Sequence, residues 1–207
     1  MVRVLLIRHG ETDYSAQRRY CGFSDPPLNS RGVWQSRRLA ARLKDLRIDK
    51  VISSDLARAH ETARIVFRHN SVEKTADLRE MNFGLLEGLT HEQIIKKYPK
   101  PYEEWISDPE RVKTPNGEGL RDLSKRIDDR LSFILSRYRD KTVALVSHSG
   151  PIRIILCEAL KLGIEMFWQV EQQFGALNVI EYAAGSPPAV VGRNDVSHLF
   201  SEEEVVL

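Results

Sequence analysis

Cysteine is scarce in this chain. Cys21 and Cys157 are the only two, they lie far apart, and neither falls in a CxxC or other zinc-ligand spacing. A disulfide framework and a cysteine-built metal centre are thereby excluded, and a reducing, cytoplasmic compartment is the expectation. No apolar run approaches the roughly 20 residues a helix needs to cross a bilayer. The N-terminus enters a strand pattern, without the basic start, long apolar stretch and small-residue cleavage site of a leader. Charge of one sign is missing too: 31 Lys and Arg stand against 29 Asp and Glu, interspersed, for a net charge of +2. There is no basic arm, so nucleic acid and membrane surfaces are not expected partners. Repeats and low-complexity tracts are absent, and nothing in the chain specifies an oligomeric state. What remains is 207 residues, 42% hydrophobic, enough to bury one core.

Two buried-strand signals dominate. Val2–Ile7 and Thr142–Ser147 are nearly continuous apolar runs, the pattern of parallel strands covered on both faces. Between them, Asn29 or Ser30 can cap a helix carrying Val33, Leu39, Leu43 and Leu46. Lys50–Ser53 reads as a short strand, Ala57–His69 as a helix, Leu120–Arg139 as a long amphipathic helix and Pro151–Leu162 as the helix after the second strong strand. Leu177–Ala183 and Ala189–Arg193 flank AGSPP as a closing hairpin or edge strands. Strands alternating with helices predict an α/β fold, a three-layer α/β/α sandwich around a mostly parallel sheet. From about 78 to 115 that rhythm lapses into two short helical patterns, Thr90–Tyr98 and Tyr102–Ser107, interrupted by PKP and DPE. This stretch is expected to be a helical cap insertion over one sheet edge, within a single domain spanning 1–207. The tail SEEEVVL is expected to be loosely held.

Chemistry concentrates at strand ends. In open α/β sheets, ligands bind outside the carboxyl ends of the strands, where strand order reverses. The first strong strand ends in Ile7-Arg8-His9-Gly10 and the second in Val146-Ser147-His148-Ser149-Gly150. On adjacent parallel strands, both histidines reach one crevice, and the small residues after them admit a ligand close to the backbone. The strand VIS leads into Ser53-Ser54-Asp55-Leu56-Ala57-Arg58, which opens a helix with a cation in its first turn. That is poor placement unless an anion binds there. Two arginines and two histidines converging near a helix N-terminus describe a phosphate site. Leu78-Arg79-Glu80-Met81-Asn82-Phe83-Gly84-Leu85-Leu86-Glu87-Gly88 follows neither period, and its glutamates among apolar neighbours suit general acid catalysis. Trp34, Trp105 and Trp168 are expected to pack, Cys21 to be a buried small hydrophobe, and His60, His69, His91 and His198 to do no chemistry.

RHGET, SSDLARAHETA, LREMNFGLLEGLT and LVSHSGPIR, in this order and spacing, resemble the histidine phosphatase superfamily over almost the whole chain. RRYCGFSDPPLNSRG, NVIEY and RNDVSHL are similar to its small bacterial phosphatase branch, which includes α-ribazole-5'-phosphate phosphatases. The resemblance implies a phosphoglycerate-mutase-like fold and a phosphomonoesterase acting on a small phosphorylated metabolite, without metal or cofactor. It implies His9 as the nucleophile that becomes phosphohistidine, and Glu80 as proton donor to the leaving group. Arg8, Arg58 and His148 would hold the phosphoryl oxygens, with Gly22 and Ser149 in the same substrate site. Two positions depart from the pattern. Ser15 stands where many members carry a phosphate-touching asparagine, and Asn116-Gly117-Glu118-Gly119 replaces GGES, leaving Glu118 without a role. A phosphoglycerate mutase and a non-catalytic binding module of the same fold are the alternatives. Against the mutase, the cap's Lys96, Lys97, Lys100, Arg111 and Lys113 lie among acids and prolines without clustering.

Overall fold

The computed structural model describes residues 1–200; the tail 201–207 lies outside the described residues. Chain order runs β1 (Val2–Arg8), α1 (Asp13–Ala16), α2 (Ser30–Arg42), β2 (Lys50–Ser54), α3 (Ala57–Val66) and β3 (Val72–Thr75). It continues through α4 (His91–Lys97), α5 (Pro99–Ser107), α6 (Leu120–Arg137), β4 (Thr142–Ser147), α7 (Ser149–Ala159), β5 (Leu177–Tyr182) and β6 (Ala189–Asp195). The six strands form one sheet in the order β3-β2-β4-β1-β5-β6. The first four in that order are parallel, while β5 runs antiparallel to β1 and to β6. The expected mostly parallel α/β/α sandwich is borne out.

Alternation along the strands builds two cores. Leu5, Ile7, Val51, Ala144 and Val146 pack with Leu39 of α2 and Ala59 and Ala63 of α3. Val4, Leu6, Ile52, Val143 and Leu145 belong with Leu123, Ile127 and Leu131 of α6 and Ile152 and Leu156 of α7. Asn29, not Ser30, caps α2, its Oδ1 accepting from Gly32 N at 2.9 Å. The cap segment joins the second core through Ile94, Tyr102 and Trp105. Trp105, 1% exposed, meets Tyr20, Phe83, Tyr102 and Trp168 at ring-centroid distances of 5.9 to 6.3 Å.

Several boundaries differ from expectation. The α3 helix stops at Val66, three residues early, where Phe67 leaves helical geometry and Asn70 bonds Ile48 O to turn the chain into β3. The β3 strand, VEKT, has no apolar run to announce it. PKP starts α5 instead of interrupting the segment, since a proline in the first turn loses no helical hydrogen bond. Trp34 is 42% exposed beside Arg31, and Trp168 is half exposed, so of the three tryptophans only Trp105 is a core residue.

Candidate active site

Register brings the two strand-end histidines together. Arg8 pairs with Ser147 across β1 and β4, and His9 N donates to Ser147 O at 3.0 Å. His9 and His148 therefore leave adjacent parallel strands side by side, their ring centroids 4.9 Å apart and edge to face. Both are buried. His9 Nδ1 lies 2.7 Å from Gly10 O, which can only accept, so Nδ1 carries the hydrogen and Nε2 keeps its lone pair. Arg58 Nε donates to that Nε2 at 3.3 Å. Burial first, then the Arg58 and Arg8 charges, hold the His9 pKa well below the ordinary imidazole value. Burial lowers His148 likewise, assisted by Arg58, His9, Arg8 and Arg126. Close approach fixes Gly10: a Cβ there would lie 2.5 Å from Gly32 O.

Cations frame this pair. Arg8 lies with its guanidinium carbon 3.7 Å from the Phe174 ring centroid, and Nη1 donates to Gln172 O at 2.5 Å. Burial lowers its pKa to about 10, so it stays charged at neutral pH. Arg58, 1% exposed in the first turn of α3, donates to the carbonyls of Ser24 (2.7 Å), Gly22 (2.8 Å) and Cys21 (3.3 Å). Arg8 Nε and both ring nitrogens of His148 are buried with no hydrogen-bond partner among the described residues. Groups left that way in a native fold call for a polar partner, and an anion supplies one.

Glu80 reaches the same place from the loop after β3. Its Oε1 accepts from Met81 N (2.9 Å) and Gly150 N (3.0 Å), and its Oε2 accepts from Ser149 Oγ (2.9 Å). The carboxyl group is thus docked on the first turn of α7, next to His148. Arg126 of α6 holds the loop from behind, donating to the carbonyls of Asp77, Arg79 and Glu80 at 2.8, 2.9 and 3.3 Å. Glu118 pairs with Arg126 at 2.9 Å and accepts from Asn82 N at 2.8 Å, so it braces the Glu80 loop.

A cavity of about 300 Å³ opens here, with Arg8, His9, Arg58, Glu80, Ser15 and Ser149 in its wall; His148, fully buried against the His9 ring, is not part of that wall. Ser15 lines it, but its hydroxyl donates to Thr12 O at 2.8 Å and accepts from Thr12 N, closing a capping box on α1. Gly22 does not line it; its N–H is taken up by Glu87 and its carbonyl by Arg58. Cys21 does, contrary to expectation: it is half-buried against the cavity, and burial pushes its thiol up to about 11. Thr12, Arg18, Arg19, Tyr20, Phe83 and Phe174 complete the wall without any periodicity in sequence to mark them. A larger cleft of about 790 Å³, between the ends of α2 and α3, has neither strand-end histidine nor any carboxylate in its lining. Among the described residues no group of three or more His, Cys, Asp or Glu is placed to hold a metal ion.

Comparison with known proteins agrees with this geometry. Residues 4–196 match the model of the histidine phosphatase superfamily, branch 1. The chain is 32% identical over 170 residues to phosphoserine phosphatase 1 of Hydrogenobacter thermophilus, covering 81% of each. It is 33% identical to a bifunctional protein of Mycobacterium tuberculosis over 95% of its own length, yet spans only 55% of that relative. It is similar in structure to an α-ribazole phosphatase from Shigella flexneri, with TM-score 0.87, 30% identity, and coverage of 94% of this chain and 96% of that one.

Proposed function

This chain belongs to the histidine phosphatase superfamily, and on that footing we propose that it hydrolyses phosphate monoesters of small metabolites through a phosphohistidine at His9. The observation that carries the reading is the His9 ring. It is buried and neutral, with Nδ1–H turned to Gly10 O and the Nε2 lone pair turned to Arg58 and the cavity. In this reading Nε2 attacks phosphorus as the ester oxygen departs, and Glu80 delivers the proton that the alkoxide takes. Water then attacks the phosphohistidine, Glu80 recovers a proton from it, and inorganic phosphate leaves. Arg8, Arg58 and His148 share the phosphoryl charge in both steps. Ser149 and Gly22 act indirectly, through Glu80 and Arg58 respectively. The reading takes 1–207 as one catalytic domain whose 78–115 cap shapes the substrate end of the cavity, and its two free cysteines favour the cytoplasm.

α-Ribazole 5'-phosphate is the leading substrate, by similarity to the Shigella enzyme. A specific feature favours a second reading, a substrate with an additional carboxylate, as in phosphoserine. The Arg18 guanidinium stands at the exposed rim of the cavity with no hydrogen-bond or ion-pair partner among the described residues. Its backbone is held at φ +54°, a conformation uncommon for a side-chain-bearing residue. A panel of phosphorylated metabolites assayed in EDTA separates the two. A flat profile refutes both, and no turnover on any ester, aryl phosphates included, leaves a binding module. His9→Ala should abolish covalent labelling by a ³²P-labelled ester. With 3-phosphoglycerate, phosphate release should exceed isomerisation whether or not 2,3-bisphosphoglycerate is present; the reverse makes the protein a mutase.

A further inference from the structure

Glu87 touches no part of the cavity, yet its carboxylate gathers four backbone N–H groups from two loops. Oε1 accepts from Phe23 N (2.8 Å), Gly22 N (3.1 Å) and Phe83 N (3.1 Å); Oε2 accepts from Gly22 N (3.0 Å) and Ser24 N (3.1 Å). The other side of the same loop faces Arg58. The peptide group joining Cys21 to Gly22 gives its carbonyl to Arg58 Nη2 and its N–H to Glu87, and the group joining Gly22 to Phe23 does the same. A trans peptide points its C=O and N–H in opposite directions. Two peptide dipoles therefore lie between a carboxylate and a guanidinium, each oriented favourably toward both charges.

We propose that Glu87 is the positioning residue for Arg58, acting through these two peptide groups. Among the described residues, all four hydrogen bonds of the Arg58 side chain go to His9 Nε2 and to backbone carbonyls, none to a carboxylate. A carboxylate bonded directly to Arg58 would fix its geometry but would also compete with the phosphoryl group for its charge. Set one peptide away, Glu87 orients the guanidinium and leaves its charge for the substrate. Glycine at position 22 permits the arrangement, since a Cβ there would lie 2.4 Å from Glu87 Oε1 and 2.0 Å from Met81 O. Glutamine cannot replace the group. Its NH₂ would face N–H donors that now meet an oxygen.

The inference rests on the phosphatase reading, and a double-mutant cycle tests the two separately. Vanadate affinity and kcat/KM for p-nitrophenyl phosphate are measured for the wild type, Glu87→Gln, Arg58→Ala and the double variant. Glu87→Gln should weaken vanadate binding and kcat/KM by about 10- to 100-fold, the scale of lost hydrogen bonds to a charged group. In the Arg58→Ala background the same change should cost less than about 2-fold, because the group it positions is gone. Equal losses in both backgrounds, or unchanged vanadate affinity in Glu87→Gln, overturn the proposal while the phosphatase reading stands. A wild type that neither binds vanadate nor turns over overturns both. If Glu87→Gln does not fold, Glu87→Asp keeps the charge on a shorter arm. It should show a smaller loss that likewise vanishes without Arg58, and persistence of that loss refutes the inference.

Discussion

Acid should loosen this protein through a histidine outside the cavity wall. His198 lies 8% exposed in the short turn Ser197–Leu199, against α2. Arg42 Nη1 stands 3.5 Å from its Nδ1, a contact that needs a neutral ring with the lone pair on Nδ1. Burial, then the Arg42 and Arg38 charges, lower its pKa from 6.5 to about 4, with Asp195 opposing. The unfolded chain binds the proton first as pH falls. The contribution of His198 is therefore complete above pH 6.5, shrinks as pH drops, and is gone below about 4. Across that window of 2.5 units, at about 1.4 kcal/mol per unit, the full loss is about 3.5 kcal/mol, about 3 kcal/mol of it reached by pH 4, a large part of a typical stability of about 5–15 kcal/mol. Urea unfolding of the wild type and of His198→Gln, from pH 7 to pH 4, measures it. Glutamine keeps an acceptor for Arg42 but does not titrate, so the wild type should lose about 3 kcal/mol more than the variant. Equal losses would refute the reasoning. His9 and His148 carry shifts of the same sign and should account for much of the slope that remains in the variant.

Glu80→Gln should slow alkyl phosphates by about 10²–10⁴-fold and p-nitrophenyl phosphate far less, because the aryl oxide leaves without a proton. Equal losses in steady-state kinetics on the two substrates would make Glu80 structural. Trp105→Ala should cost about 3–5 kcal/mol in urea unfolding by leaving a cavity beneath the cap. A loss under 1 kcal/mol would mean the aromatic cluster does not hold that segment. Inorganic phosphate at about 100 times its Kd should stabilise the wild type by about 2.7 kcal/mol in the same assay. His148→Ala should weaken that effect, and an undiminished shift would place the anion elsewhere.

The parts of this fold that sequence made legible are those where one side chain pattern has one physical meaning. Val2–Ile7 and Thr142–Ser147 are apolar because both faces are covered, and the two histidines after them mark the sheet's carboxyl edge. Polar edge structure carries no such mark: β3 is Val72-Glu73-Lys74-Thr75, with two charged residues side by side at its centre, and Glu73 makes ion pairs with Lys50 and Arg130 that a linear reading does not contain. The site divides the same way. Arg8, His9, Arg58, Glu80 and His148 stood out as costly residues in odd places, and the structure gathers all five. Arg126 looks like an ordinary surface charge in sequence, and Glu87 like a second general-acid candidate; the roles of both, and of Glu118, depend on backbone carbonyls and N–H groups brought from distant loops. Ser15 lines the cavity, but its hydroxyl already has a partner three residues away in Thr12, a local bond that a linear reading does not contain.

The pairing of β1 with β4 also sets a timetable. His9 and His148 touch in space but stand 139 positions apart in the chain, from 9 to 148. At 5–20 residues per second, a ribosome takes roughly 7–30 s to travel from one codon to the other. Through that interval β1 has no neighbour on its β4 side, and His9 has no cradle. Closing so long a loop carries an entropic cost that no local contact offsets, which marks a slow-folding topology. The nascent chain is thus chemically silent until β4 and His148 have been made. Truncated products ending before β4 should be recognised by the cell as unpaired sheet edges and not as rogue phosphatases.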